Sequence, residues 1–480
     1  MKNSALGGGA IWSMLDNLAQ QALSFLVFLV LARLVAPQDF GLIAIAHVLV
    51  TFVRNTLFDA ISHPVARTAV PDDFLYSRAL TACVLLAIAI AGVMAAGAVP
   101  IAGLYGQPML VPVLMWMSLV VLATGCSAIF EARLIRQMQF KPLAIRSIVS
   151  VCIGGGVGLA LAFKGHGVMA LVGQQVVTSC TALALLVAQS HWLPHFVWRG
   201  LDLKGFLPEG SKVGSTGFFN FMTSQGDTLL VSVLMGSYAT GIYNFAKRLT
   251  SAVYLVIGSA LLKLAISAFA DAHGQSEKLR KAYLRILGIC LFLMAPLLVG
   301  MAGVAEPLVT HMFGDIWKPA APVIALLAAF YLLLAINQLN DYVMFAVGER
   351  TLPTRRGMVQ IALVLALGWA FARFGLTWTS AAFVAGALLV WPWVQRVVNR
   401  YLQISFVSLA QSLATTMVAT ACMVASLWLV RWLPLTGVWA LSTMVLTGAI
   451  AYLASYRLSA HLLPGSHNAM QDLLSLRKRA

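Results

Sequence analysis

Two polar stripes, 200 residues apart, are the part of this sequence that could do chemistry. In the first, His47, Thr51, Arg54, Asn55, Asp59 and Ser62 interrupt an apolar run; in the second, Asn244, Lys247, Arg248 and Ser251 do the same. Positions 47, 51, 54 and 247, 251, 254 follow helical spacing, so each set occupies one helix face. A further polar stripe precedes each: Ser13, Asp16, Asn17, Gln20, Gln21 and Ser24 before the first, and Asn220, Thr223, Ser224, Gln225, Asp227 and Thr228 before the second. A charged side chain inside a membrane-spanning segment costs about 2.5–3.5 kcal/mol on insertion scales, so such groups face a cavity or a partner. Four helices with one wet face each imply a shared aqueous cavity. Its excess positive charge at Arg54, Lys247 and Arg248 suits an anionic headgroup, phosphate above all, because arginine makes forked hydrogen bonds to it and lysine adds a point charge. Asp16, Asp59, Asp227 and His47 are the groups whose protonation could couple passage to a proton or sodium gradient. Gln20, Thr51, Asn220, Gln225, Asn244 and Ser251 supply uncharged polar lining. For any single residue the alternative is simple pairing, Asp16 or Asp59 with Arg54 and Asp227 with Lys247 or Arg248.

The elements that must hold these stripes are membrane helices. The chain has 480 residues, 60% hydrophobic and 10% charged, with a mean hydropathy of +0.87. No soluble fold of this size hides that much apolar surface, so an all-α polytopic membrane protein is expected. Fourteen spans are expected, the first at about 10–34 and the last at about 436–459. The first is read as a retained helix rather than a cleaved signal, since Asp16, Asn17, Gln20 and Gln21 interrupt it. Most of the basic residues fall in alternate connections, which puts both termini in the cytoplasm by the positive-inside rule. The net charge of +16 is therefore mostly topological, and no nucleic-acid partner is expected.

Repetition organises the chain. Gly41, His47 and Thr51 fall on Gly241, Lys247 and Ser251 at an offset of 200, while Pro112 and Glu131 fall on Pro322 and Asp341 at 210. Two parallel six-helix repeats around a central cavity follow: residues 1–190 and 211–400, joined by an interfacial linker at 191–210. Two additional helices at 401–460 and a basic cytoplasmic tail at 461–480 complete the chain.

The remaining signals are negative. Cys83, Cys126, Cys152, Cys180, Cys290 and Cys422 lie in apolar segments without paired spacing, so neither a disulfide framework nor a metal site is expected. No Walker A motif is present. Gly154, Gly155 and Gly156 sit within a span as close-packing glycines. The largest expected extracytoplasmic loop offers only Glu306, His311 and Asp315. These features count against an enzyme, and no cofactor is expected.

Four ordered motifs then suggest a family. They are Trp12…Gln21…Leu31-Ala-Arg33-Leu-Val-Ala-Pro37-Gln-Asp-Phe-Gly41; Glu131-Ala-Arg133-Leu-Ile-Arg136-Gln-Met-Gln-Phe140-Lys; Ala162-Phe-Lys-Gly165-His-Gly167-Val-Met-Ala-Leu171-Val-Gly-Gln174; and Gln225-Gly-Asp227…Gly236…Gly241-Ile-Tyr243-Asn-Phe-Ala246-Lys-Arg248. Together they resemble the polysaccharide flippases, the Wzx-type members of the multidrug/oligosaccharidyl-lipid/polysaccharide exporter superfamily. The resemblance implies alternating access by two six-helix lobes in a bacterial inner membrane. Its implied substrate is a lipid-linked oligosaccharide on an undecaprenyl diphosphate carrier, destined for exopolysaccharide, capsule or O-antigen assembly. It assigns the diphosphate to Arg54, Lys247 and Arg248, and implies polymerase and export proteins as partners. Lipid II flippases of the superfamily carry more first-helix cavity arginines; Asp16 and Gln20 depart from that pattern and argue against a peptidoglycan precursor. Two rivals stay open: an ion-coupled exporter of small molecules or drugs from the same superfamily, and a membrane glycan ligase or polymerase.

Overall fold

The computed structural model describes residues 19–68, 73–190, 192, 194–197, 207–272, 274–433, 437–462 and 469–472. Among them, twelve helices are long and apolar enough to cross a membrane, and the chain is a multi-pass membrane protein. Fourteen spans were expected. The difference lies in the first helix, described only over Ala19–Leu34, and in Leu207–Ala270, which runs through two expected spans as one helix broken at Gly236. There the backbone takes φ 76°, in the left-handed region that glycine enters without steric cost. Asp16 lies outside the described residues, as do Trp198 and Leu201 of the linker.

The chain divides into two compact units, Met1–Asn244 and Phe245–Ala480. This boundary falls inside Leu207–Ala270, beyond the 191–210 linker expected from the repeat, because the start of that helix packs into the first unit. Gly210 and Gly217 leave no room for a Cβ against the backbone of Ala60 and Asn55, and Gly214 lies close against Thr56. At the other end the contact is reciprocal: a Cβ on Gly41 would strike the Ser237 carbonyl oxygen, and one on Gly241 would strike that of Pro37. Shifted by 200, Pro37 becomes Ser237 and Gly41 becomes Gly241, so the two close approaches exchange into one another. That is the signature of a local two-fold relation between the two copies.

In the first unit, Phe140–Phe163 packs tightly along Val168–Ser190, with Gly154 against Thr178 and Gly158 against Gln174. Leu110–Arg136 forms the middle of the core, its Val113, Leu114, Met117, Val120 and Val121 buried with Leu42, Ile45 and Ala46. At the start of the linker, Trp192 is buried against Tyr76 and Phe130, with the Arg133 guanidinium 4.9 Å above its ring. The backbone N–H groups of His195 and Val197 then donate to the hydroxyls of Ser77 and Thr81.

In the second unit, Phe245 stacks on the buried Trp317. A buried polar chain ties three helices: Tyr283 Oη donates to Asn340, and Gln395 Nε2 donates to Tyr283 and Asn399. The two added helices, Phe406–Val430 and Gly437–Leu462, dock on Ser276–Gly303. Tyr452 Oη donates to the Phe292 carbonyl, and Arg431 donates to that of Gly303. Residues 469–472 return to the same helix, where Asp472 meets Arg285 at 3.0 Å.

Candidate functional site

One helix, Pro37–Arg67, sets the site. Its start suits proline, which lacks an N–H that the first turn would leave unbonded anyway. At Arg54–Phe58 it widens into a π turn, and such turns recur at functional sites. Pro64 follows inside the helix, removing one more backbone donor. The polar stripe read from the sequence stays on one face through these irregularities. His47, Thr51, Arg54, Asn55, Asp59 and Ser62 all line a single cavity of about 1010 Å³, together with Gln20. The volume is at the upper end for small-molecule sites.

The opposite walls come from the rest of the first unit. Leu110–Arg136 contributes Thr124, Ser127, Glu131 and Arg136; Phe140–Phe163 contributes Arg146 and Ser150; Val168–Ser190 contributes Gln175 and Thr178. Hydroxyls and amides thus alternate with charge around a hydrated space. Four arginines (Arg54, Arg67, Arg136 and Arg146) face two carboxylates, Asp59 and Glu131. The wall is net positive, as an anion site requires.

The charges are organised around Glu131. Arg146 Nη1 donates to its Oε1 at 2.5 Å, and Arg54 Nη2 approaches Oε2 at 3.5 Å. One carboxylate is therefore shared by two guanidiniums, closely by one and loosely by the other. Asp59 pairs with His63 at 3.9 Å, and His47 with Thr51 at 3.3 Å. The alternative pairing of Asp59 with Arg54 is not the ion pair seen: Glu131 reaches Arg54 from the neighbouring helix.

The remaining expected residues sit elsewhere. Asp227 accepts from Tyr243 Oη at 2.6 Å and from the Thr228 N–H at 2.7 Å. The Tyr243 bond clamps the two stretches of helix on either side of Gly236. Asn220 is exposed and Gln225 half-buried on the same helix, while Asn244 Nδ2 bonds back to the Thr240 carbonyl. Lys247, Arg248 and Ser251 belong to the second unit, where Ser251 Oγ donates to the Arg248 carbonyl. No group of three His, Cys, Asp or Glu side chains able to hold a metal occurs among the described residues.

Sequence reasoning overlooked Arg146, reading it as a topological charge. The signal was available: Glu131 and Asp341 were matched at an offset of 210, and Arg146 and Arg356 share that offset. Asp341 indeed holds Arg356.

A family model described as "Polysaccharide biosynthesis protein" matches residues 30–322. The chain is 27% identical over 322 residues to the succinoglycan biosynthesis transport protein ExoT of Rhizobium meliloti (strain 1021), covering 66% of this chain and 64% of ExoT. It is 25% identical to the teichuronic acid biosynthesis protein TuaB of Bacillus subtilis (strain 168), over 62% of this chain and 60% of TuaB. The lipopolysaccharide biosynthesis protein WzxC of Escherichia coli (strain K12) is 22% identical over 68% of this chain and 67% of its own length. The match thus spans under two thirds of ExoT and of TuaB. Among solved structures, the lipid II flippase MurJ in an inward closed conformation superposes with a TM-score of 0.75 at 13% identity, covering 94% of this chain and 99% of MurJ. The fold is therefore MurJ-like.

Proposed function

Because the chain belongs to the polysaccharide biosynthesis protein family, we propose that it is a flippase that moves a lipid-linked oligosaccharide from the cytoplasmic to the outer leaflet of a bacterial inner membrane. The observation that carries this reading is the arginine-rich, hydroxyl-lined cavity of about 1010 Å³. A sugar-phosphate head cannot cross hydrocarbon, whereas its lipid tail can stay in the bilayer. A hydrated basic path for the head is all the protein must offer, exposed alternately to each side. No covalent chemistry is required of it. The carrier is taken as undecaprenyl diphosphate, and the pathway as exopolysaccharide, capsule or O-antigen assembly with its polymerase and export proteins.

In this reading Arg54 meets the diphosphate with Arg67, Arg136 and Arg146, while Gln20, Asn55, Thr124 and Gln175 meet sugars. Lys247 and Arg248 are assigned the same anion-binding role in the second unit by the family resemblance. Both termini face the cytoplasm, in keeping with the clustering of basic residues in alternate connections. Coupling to a proton or sodium gradient falls to Asp59 and His47, and no cofactor is involved.

The test is a leaflet assay in spheroplasts, scoring access of a membrane-impermeant lectin to the glycolipid. Cells lacking the gene should trap it inside. Cells carrying Arg54→Ala with Arg67→Ala, at matched protein level, should trap most of it. Lys247→Ala with Arg248→Ala is scored in parallel for the second unit. If the deletion traps nothing, the glycolipid is not the substrate, and an ion-coupled exporter dependent on Asp59 takes first place.

A further inference from the structure

We propose that Glu131 is a built-in competitor for the substrate's anionic head, holding Arg54 and Arg146 in the unloaded protein and yielding Arg54 to phosphate oxygens when the head arrives. This inference rests on the flippase reading above and deepens it.

The geometry supports displacement in three ways. First, the Glu131–Arg54 contact is long, 3.5 Å, and the Arg54 side chain is 54% exposed to the cavity. A loosely held, solvated guanidinium is the one an incoming anion can take. Second, Arg146 is held firmly by one nitrogen only. Its Nη2 bonds Ser147, while its buried Nε has no hydrogen-bond partner among the described residues. A buried donor left unpaired is costly, so the Glu131–Arg146 pair does not use the whole guanidinium fork. Third, two cations share one carboxylate, so the trio keeps a net positive charge that draws an anion without Glu131 having to leave Arg146.

Competition also serves transport. A site that moves its ligand must bind it well enough to enter and weakly enough to release it. A carboxylate that reclaims Arg54 as the head departs lowers affinity and speeds release. A purely structural ion pair makes the opposite prediction: removing its acid would leave Arg54 unanchored and weaken anion binding.

The sign of one measurement therefore decides. Binding of geranylgeranyl diphosphate to the purified full-length protein is measured at equilibrium, with geranylgeraniol as the control for the tail. Wild type should bind the diphosphate more tightly than the alcohol. Glu131→Gln should bind the diphosphate about tenfold more tightly than wild type, the scale of one released charged hydrogen bond, and should flip glycolipid more slowly. Glu131→Asp, which preserves the acid for Arg146 but shortens its reach toward Arg54, should shift affinity in the same direction by less. It stands in if the glutamine variant does not fold. Arg54→Gln should weaken binding, and combining it with Glu131→Gln should remove most of the gain. Equal or weaker binding by both Glu131 variants, or additive effects in the double variant, would overturn the proposal while leaving the flippase reading intact. Wild-type protein that binds the alcohol as well as the diphosphate would overturn both.

Discussion

Glu131 with Arg146 and Asp341 with Arg356 are the same device placed twice, 210 residues apart, with the acid and the base 15 positions apart each time. In the second unit the device is closed. Arg356 Nε meets Asp341 Oδ1 at 2.9 Å, Nη2 meets Oδ2 at 2.6 Å, and Nη1 meets Gln360 at 2.6 Å. Both carboxylate oxygens and the whole guanidinium fork are used. In the first unit the device is open: Arg146 engages one oxygen, Arg54 reaches for the other, and a large cavity surrounds all three. Glu349 also accepts from the N–H groups of Thr351 and Leu352 at the start of Thr351–Phe371, the helix that carries Arg356. A repeated ion pair thus became a fastener in one copy, and in the other was left with capacity to bind something else.

The largest expected effect lies in breaking the fastener. Asp341→Ala leaves the mostly buried Arg356 without its acid, a loss approaching that of a fully buried pair, about 3–5 kcal/mol, and should lower the unfolding midpoint in detergent more than Glu131→Ala. Arg54, 54% exposed to the cavity, can be hydrated once Glu131 is gone. Equal losses would erase the distinction between the two copies.

Where the repeat has not diverged, the copies should behave alike. Gly41→Ala and Gly241→Ala each push a methyl group into the other copy's backbone carbonyl, and each should cost about 1–3 kcal/mol as overpacking. Matching shifts in melting temperature would confirm the reciprocal contact. A silent change at either glycine would break it.

A smaller effect is expected at the arginine forks. Gln360→Ala removes the Arg356 Nη1 acceptor and should cost about 1.5–3 kcal/mol, typical of a hydrogen bond to a charged group. Ser147→Ala, opposite Arg146 Nη2 at 3.2 Å, should cost less, because cavity water can replace the hydroxyl. Parallel thermal melts of the two variants compare them directly.

The smallest effect concerns pH. Side-chain and backbone hydrogen bonds from Thr351 hold the exposed Glu349 carboxyl below its ordinary value of 4.5. A carboxyl depressed in the folded state adds stability that is fully present above that ordinary value and is lost as pH falls through the lower folded value. A slight acid-side loss should therefore appear below about pH 4.5 and vanish in Glu349→Gln, read from melts across that range. An unchanged acid limb in the glutamine variant would remove Glu349 as its source.

Much of the site was legible before any coordinates. The stripe from His47 to Ser62 required only helical periodicity and the cost of burying polarity in lipid, and all six of its residues line one cavity. The repeat was legible in Gly41 and Gly241 and in Glu131 and Asp341. What escaped was the partner of each acid. Arg146 and Arg356 lie where the positive-inside rule already accounts for arginine, so their second role left no surplus signal. The partner of Asp227 escaped too: it accepts from Tyr243 across the Gly236 break, a contact only a bent helix allows.

The sequence by itself determined that this is a helical membrane protein built from a repeated unit, with a basic, polar face on the helix Pro37–Arg67. Hydropathy, helical periodicity and charge placement are properties of the chain read locally, and lipid enforces them. Only the tertiary structure decided which acid each arginine meets, and that Glu131 is shared while Asp341 is saturated. Those facts depend on distances of a few ångströms between helices far apart in the chain. At the same spacing, Glu131 has a second arginine and a cavity beside it, while both oxygens of Asp341 are taken by Arg356.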